Sequence, residues 1–281
     1  MEVSLELVKK LREKTGAGIA DCKKALIESG SDFEKAIEFL RKKGAATSQK
    51  RSDRIAKEGI ILSKTSHDRK ESVIIELNCE TDFVARSEAF VKLSEVIVNE
   101  IFNLKTNDIN QVSQKVKNNI DDITASVGEK IEFKRMSYNI SEDGFYCEYN
   151  HLGNKVASLI ELTGEATDEG IKLGTDLAMQ VVAMKPLSID RNGFTDEMIG
   201  KEKEIYRVQA INEGKPENIA ERIASNRIEK FYEENCLLEQ EFVKESGKSV
   251  KEVIKQVSDI TGINYSVKSF IRYQLGETIS Q

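Results

Sequence analysis

The stretch Asn78-Cys79-Glu80-Thr81-Asp82-Phe83-Val84-Ala85-Arg86-Ser87 sets a hydroxyl, a carboxylate and an aromatic ring side by side. Such a trio accepts hydrogen bonds and fills an apolar slot, but it holds no nucleophile with a base behind it. Two readings follow from the residues. In one, Thr81 or Asp82 caps a helical turn and Phe83 drops into the local core. In the other, Asp82 and Phe83 project outward together, because neither the preceding strand nor the following helix has a use for both. Elsewhere the chain has no GxxxxGK phosphate loop, GxGxxG, HExxH or GxSxG. His67 and His151 lie far apart. Cys22, Cys79, Cys147 and Cys236 show no CxxC spacing and read as free thiols of a reducing cytosol. We expect no catalytic metal, no cofactor and no enzymatic activity, and a protein-binding role instead.

The elements around this stretch follow from periodicity. Val73-Ile74-Ile75-Glu76-Leu77 reads as a buried strand, paired in a hairpin with 59–66 across a turn at 67–70. From Glu88 to Phe102 an amphipathic helix places Phe90, Leu93, Ile97 and Ile101 on one stripe. A further helix over about 112–126 and a strand over about 130–138 complete an α+β unit. A similar series follows: strands at 145–151 and 156–162, then a helix capped by Thr167-Asp168, closed by Pro186, and later a last strand over 265–275. Ser249 and Glu252 have capping-box spacing ahead of a helix to about Thr261.

Two further parts flank this core. Residues 4–44 read as three short helices: Ser4 caps the first, Asp21 the second, and Ser31 with Glu34 forms a capping box for the third, which Gly44 ends. The basic run Arg41, Lys42, Lys43, Lys50, Arg51, Arg54 and Lys57 reads as a solvated linker or helix extension, or alternatively as an RNA contact. Helices over about 196–212 and 217–235, punctuated by Gly214 and Pro216, form an antiparallel hairpin. Ile199, Ile205 and Val208 are expected to face Ile219, Ile223, Ile228 and Phe231. That stripe either seals the two arms together or serves homodimerisation.

The totals agree with a shape-specific protein partner. A net charge of −6 argues against a surface wholly given to nucleic acid. No apolar run approaches the roughly 20 residues of a membrane span, and the start of the sequence has no secretory pattern, so a cytoplasmic location is expected.

Four segments carry a family resemblance: Leu11-Arg12-Glu13-Lys14-Thr15-Gly16-Ala17-Gly18 running into Asp21-Cys22-Lys23-Lys24-Ala25-Leu26; the stretch from Asn78 to Arg86; Gly214-Lys215-Pro216; and the closing strand with Gly276-Glu277. With these, essentially the whole chain resembles the bacterial translation elongation factor Ts family. The resemblance implies an exchange factor that binds elongation factor Tu in its GDP-bound and nucleotide-free forms, dislodges Mg2+ and releases GDP, with no direct nucleic-acid contact. It implies a UBA-like N-terminal helical docking module (1–54) and an α+β core of two subdomains (55–140, and 141–190 with 236–281). A protruding helical hairpin (191–235) completes the arrangement. The Mg2+-displacing turn is Thr81, Asp82, Phe83 and Val84; Arg12, Ile19 and Ala20 are module contacts and His151 a contact of the second subdomain. The chain departs from the family pattern in two places. Ile19 and Ala20 stand where paired methionines are common, which implies a smaller apolar contact. The segment Gly153-Asn154-Lys155-Val156-Ala157 is poorer in glycine than is usual around His151.

Overall fold

The computed structural model describes residues 3–51 and 53–277, without the side chains of 45 and 47–50, so Lys50 of the basic run lies outside the described side chains. Extended Ser4 accepts a hydrogen bond from the Glu6 N–H and opens α1 (Leu5–Thr15), which Gly16 ends in the left-handed region at φ 67°. α2 (Ile19–Glu28) and α3 (Phe33–Lys50) complete a module around Leu11, Cys22, Leu26 and Leu40.

Three local expectations are corrected here. α2 begins at Ile19 behind an extended Gly18, so Asp21 falls in the first turn rather than at the cap. There it still meets the positive helix end and pairs with Lys43 at 2.5 Å. Ser31 sits at φ 67°, away from the extended geometry of an N-cap, and it is Asp32 whose Oδ1 accepts from the Lys35 N–H at 3.1 Å. Gly44 does not end α3. It is buried inside the helix, where an added Cβ would lie 3.0 Å from the Asp121 carbonyl oxygen and 3.2 Å from the Ala125 Cβ. The glycine serves close approach between helices instead of termination, and the basic run continues α3 as far as Lys50, with Arg51, Arg54 and Lys57 beyond the helix.

β1 (Glu58–Thr65) and β2 (Glu71–Cys79) form the expected antiparallel hairpin, followed by α4 (Asp82–Ala85), α5 (Glu88–Leu104) and α6 (Ile109–Val127). β3 (Glu132–Ile140) then pairs antiparallel with β2, giving the sheet order β1-β2-β3. The scheme repeats with β4 (Gly144–Asn150), β5 (Val156–Thr163) and α7 (Asp168–Met184). After α8 (Asp196–Asn212), α9 (Glu217–Asn235) and α10 (Val250–Thr261), β6 (Val267–Gln274) closes the second sheet as β4-β5-β6. The Ser249–Glu252 capping box ahead of α10 is present.

Both faces of β2 are covered, which explains its almost continuous apolar sequence. Val73, Ile75 and Leu77 pack with Phe90, Leu93, Ile97 and Ile101 of α5, while Ile61 and Ile74 meet Ala157 and Leu159 of the other sheet. The polar residue in that run, Glu76, is fully buried; its carboxylate accepts from Arg135 Nε at 2.6 Å and Lys134 Nζ at 3.2 Å. A buried carboxylate is tolerable only with such partners. Arg135 also stacks on the Tyr273 ring and donates to the Gln274 carbonyl, joining the two sheets.

α8 and α9 pack on each other and on no other helix or strand to a comparable extent. Their seam differs from the expected isoleucine stripe. Ala210, Ala220 and Ala224 are fully buried, with Ile228 beside them, whereas Ile205, Val208 and Ile219 are exposed. Small side chains let the two axes approach closely, and the bulkier residues are left flanking the seam. At the base, Phe194 meets the ring of Phe231 at 5.2 Å, and Arg191 pairs with Glu239 at 2.7 Å and Glu229 at 3.0 Å. Among the described residues no helix is long and apolar enough to cross a membrane.

Candidate protein-binding site

The turn after β2 is built from its caps. Thr81 is extended, at φ −126° and ψ 156°, and its Oγ1 accepts from the Val84 N–H at 3.4 Å, so Thr81 caps α4. Six residues on, Ser87 caps α5 in the same way through the Phe90 N–H. Between the two caps there is room for one helical turn, and one turn has one inward side. Ala85 is buried and Val84 packs against the first core. The outward side falls to Asp82 and Phe83, and Phe83 is 83% exposed. The first reading of this stretch is therefore right about the cap and wrong about the ring, while the second, with Asp82 and Phe83 turned outward, describes the turn as it stands.

Asp82 faces Arg86 one turn on, at 3.2 Å, and both side chains remain open to solvent. An exposed pair of this kind contributes little, so Arg86 holds the Asp82 carboxylate only weakly. Thr81 is held more firmly. Its N–H donates to Glu129 Oε2 at 3.0 Å and its hydroxyl to Glu129 Oε1 at 2.6 Å. Next to it, Glu80 accepts from the Lys130 N–H at 2.6 Å and from Arg54 Nη1 at 3.1 Å, with Arg51 at 3.9 Å. The Lys130 N–H first, and then Arg54, hold the Glu80 carboxyl below its ordinary range. Cys79 donates its thiol to the Thr81 carbonyl at 3.1 Å, and burial pushes that thiol up to about 12, so it stays protonated.

The other expected contact residues lie elsewhere. Arg12 near the end of α1 and Ile19 and Ala20 at the start of α2 are all exposed, Ile19 by 57%, on the helical module. That module reaches the turn through its last residues: Arg51 and Arg54 approach Glu80, and the Gly16 carbonyl accepts from Ser126 Oγ of α6 at 2.6 Å. His151, just past β4, takes its Nδ1 contact from the Tyr149 hydroxyl at 3.0 Å. It borders a cavity lined by Lys57, Lys155, Lys185, Met179 and Val182, and the neighbouring Leu152 is 93% exposed. The structure thus gathers Thr81–Val84 into one feature and leaves His151 in the loop between β4 and β5. Among the described residues, no group of three or more His, Cys, Asp or Glu is placed to hold a metal ion.

Sequence reasoning missed Glu80, Glu129 and the pair Arg51 and Arg54. Gly128, which ends α6 at φ 76°, is the one local signal near Glu129, and it says only that a helix stops there. No pattern in the chain links positions 48 residues apart.

Comparison with known proteins agrees with this architecture. Residues 80–277 match the sequence family described as Elongation factor TS. The chain is 45% identical to the elongation factor Ts of Chloroherpeton thalassium over 287 residues, covering 98% of this chain and 99% of that protein. It is 42% identical to the protein of the same name from Chlorobium phaeobacteroides, with 98% and 99% covered. The protein of that name from Clostridium botulinum is 41% identical, with 99% of this chain and 94% of the relative covered.

Proposed function

The chain belongs to the elongation factor Ts family, and from that premise we propose that it binds elongation factor Tu carrying GDP, dislodges the bound Mg2+ and promotes GDP release so that GTP can enter. Guanine nucleotides are held largely through their phosphates and a bridging Mg2+, which needs near-octahedral oxygen ligands at roughly 2.0–2.1 Å. A small displacement of the ligand-bearing elements spoils that site. Phe83 supplies the displacement by entering between partner elements, Val84 backs it from the core side, and Asp82 accepts hydrogen bonds from groups the shift sets free. Thr81 fixes the start of the turn. The factor forms and breaks no bond in the nucleotide.

The observation that carries this reading is the exposed ring of Phe83 on a turn whose neighbours on both sides are pinned or buried. Arg12, Ile19 and Ala20 dock the helical module on the nucleotide-binding domain, and His151 with its loop touches a second region of the partner. The exposed Ile205, Val208 and Ile219 support homodimerisation through the hairpin. The cations of the basic run are largely engaged within the chain: Lys42 pairs with Glu38, Lys43 with Asp21, and Arg51 and Arg54 approach Glu80. That pattern favours a protein partner over RNA. Mg2+ removal provides the test. Chelating Mg2+ does part of the factor's work in advance, so the ratio of GDP release with and without the factor should shrink when Mg2+ is absent. A ratio unchanged by chelation would contradict Mg2+ displacement as the mechanism.

A further inference from the structure

We propose that Glu129 is a positioning residue for exchange, setting the direction in which the turn presents Phe83; this rests on the wedge reading above. A helix of four residues is far below the length at which helices hold themselves together, so α4 depends for its direction on the core contacts of Val84 and Ala85 and on its cap. That cap is one long hydrogen bond, 3.4 Å from the Val84 N–H to Thr81 Oγ1. A threonine hydroxyl has one proton and two lone pairs. Glu129 Oε1 takes the proton at 2.6 Å, which fixes the rotor and leaves a lone pair free for Val84. Glu129 Oε2 takes the Thr81 N–H at 3.0 Å, so one carboxylate fixes both the backbone and the side chain of the cap residue.

The clamp is reciprocal. Glu129 holds the N–H of Thr81, and Glu80, the residue before Thr81, holds the N–H of Lys130, the residue after Glu129, at 2.6 Å. Two adjacent pairs, 80–81 and 129–130, therefore lock the turn to the end of α6. α6 in turn packs on α3 of the helical module at Gly44, and the residues after α3 place Arg54 on Glu80. Neither carboxylate needs to touch the partner, since both act through Thr81 and the short helix behind it.

The test uses the full chain and stopped-flow release of fluorescent GDP from elongation factor Tu over a range of factor concentrations. Glu129→Gln keeps the shape but trades one carboxylate oxygen for a donating NH2, so the Thr81 N–H and hydroxyl proton no longer have an oxygen each and the hydroxyl loses the arrangement that fixes its rotor. The maximal release rate should fall about tenfold or more, the scale expected when a group is misplaced by a fraction of an ångström to an ångström. The half-saturating concentration should stay within about twofold of wild type, because docking lies elsewhere. In a Phe83→Ala background, Glu129→Gln should add nothing further, because it acts only through the placement of that ring. Thr81→Val, which removes the hydroxyl from the other side of the clamp, should reproduce the loss and likewise be non-additive with Glu129→Gln. A lowered melting midpoint with an unchanged maximal rate would make Glu129 merely structural and overturn the proposal. So would wild-type release by Glu129→Gln while Phe83→Ala is slow, an outcome that leaves the wedge standing. Wild-type release by Phe83→Ala would remove the wedge itself, and the proposal with it.

Discussion

A phenylalanine ring that is 83% exposed loses almost no buried surface when truncated. Phe83→Ala should therefore change unfolding stability by less than about 1 kcal/mol, while Phe90→Ala, seven positions on and fully buried, should cost about 3–5 kcal/mol. Chemical denaturation of the two variants makes the comparison. Their difference was only half legible in the sequence. The Thr81 cap can be read from residue types, but the same spacing accommodates a ring turned inward or outward, and the choice is made by Val84 and Ala85 taking the core positions. Glu80 offers a pH test. Its folded-state pKa is depressed below 4.5 by the Lys130 N–H and by Arg54. Its contribution is thus complete above the unfolded value and is lost as pH falls through the depressed folded value. Glu80→Gln should flatten the acid limb of the stability profile below about pH 4.5 relative to wild type; an unaltered limb would mean that the clamp contributes nothing there.

At the scale of elements, the strands and the long helices were legible because their burial follows a simple period. β2, α5 and the capped α10 all lie where apolar spacing and capping residues put them. Legibility failed where one helix meets another at close range. Gly44 has the look of a helix stop, and in the structure it is the point at which α3 approaches α6. The hairpin seam has the look of an isoleucine stripe, and it is a row of alanines with Ile228 alone of the expected residues buried beside them. In both cases a small residue marks close approach, a property of two elements that periodicity within one of them does not report. Ala224→Leu should overpack the seam at a cost of about 1–3 kcal/mol. Hydrogen exchange should then quicken along α8 and α9 while the two sheets keep their protection, because the hairpin leans on little besides itself. Equal loss of protection in the sheets would show that the hairpin is integral to the core.

Across the whole molecule, three packed regions meet through an apolar layer between the two sheets and a close helix approach at Gly44, with polar contacts at defined points: Arg135 between the sheets, Ser126 between helical module and core, and the Glu80–Glu129 clamp beneath the turn. Such an arrangement suits a protein that grips a partner at separated places and applies force at one. Under the proposed exchange function, linkage governs the cycle. If the factor weakens nucleotide binding by a given ratio, nucleotide weakens factor binding by the same ratio, and incoming GTP expels it. Calorimetric affinities of the factor for nucleotide-free and GDP-bound elongation factor Tu should yield a ratio equal to that of the GDP affinities measured with and without the factor. The central claim is the wedge, and stopped-flow GDP release at saturating factor tests it most directly. Phe83→Ala should leave binding to the nucleotide-free partner within about tenfold of wild type, the loss of one contact, and should slow maximal release by about tenfold or more, the cost of removing a group used chiefly to displace. Release by Phe83→Ala at the wild-type rate, with the fold intact, would contradict the account.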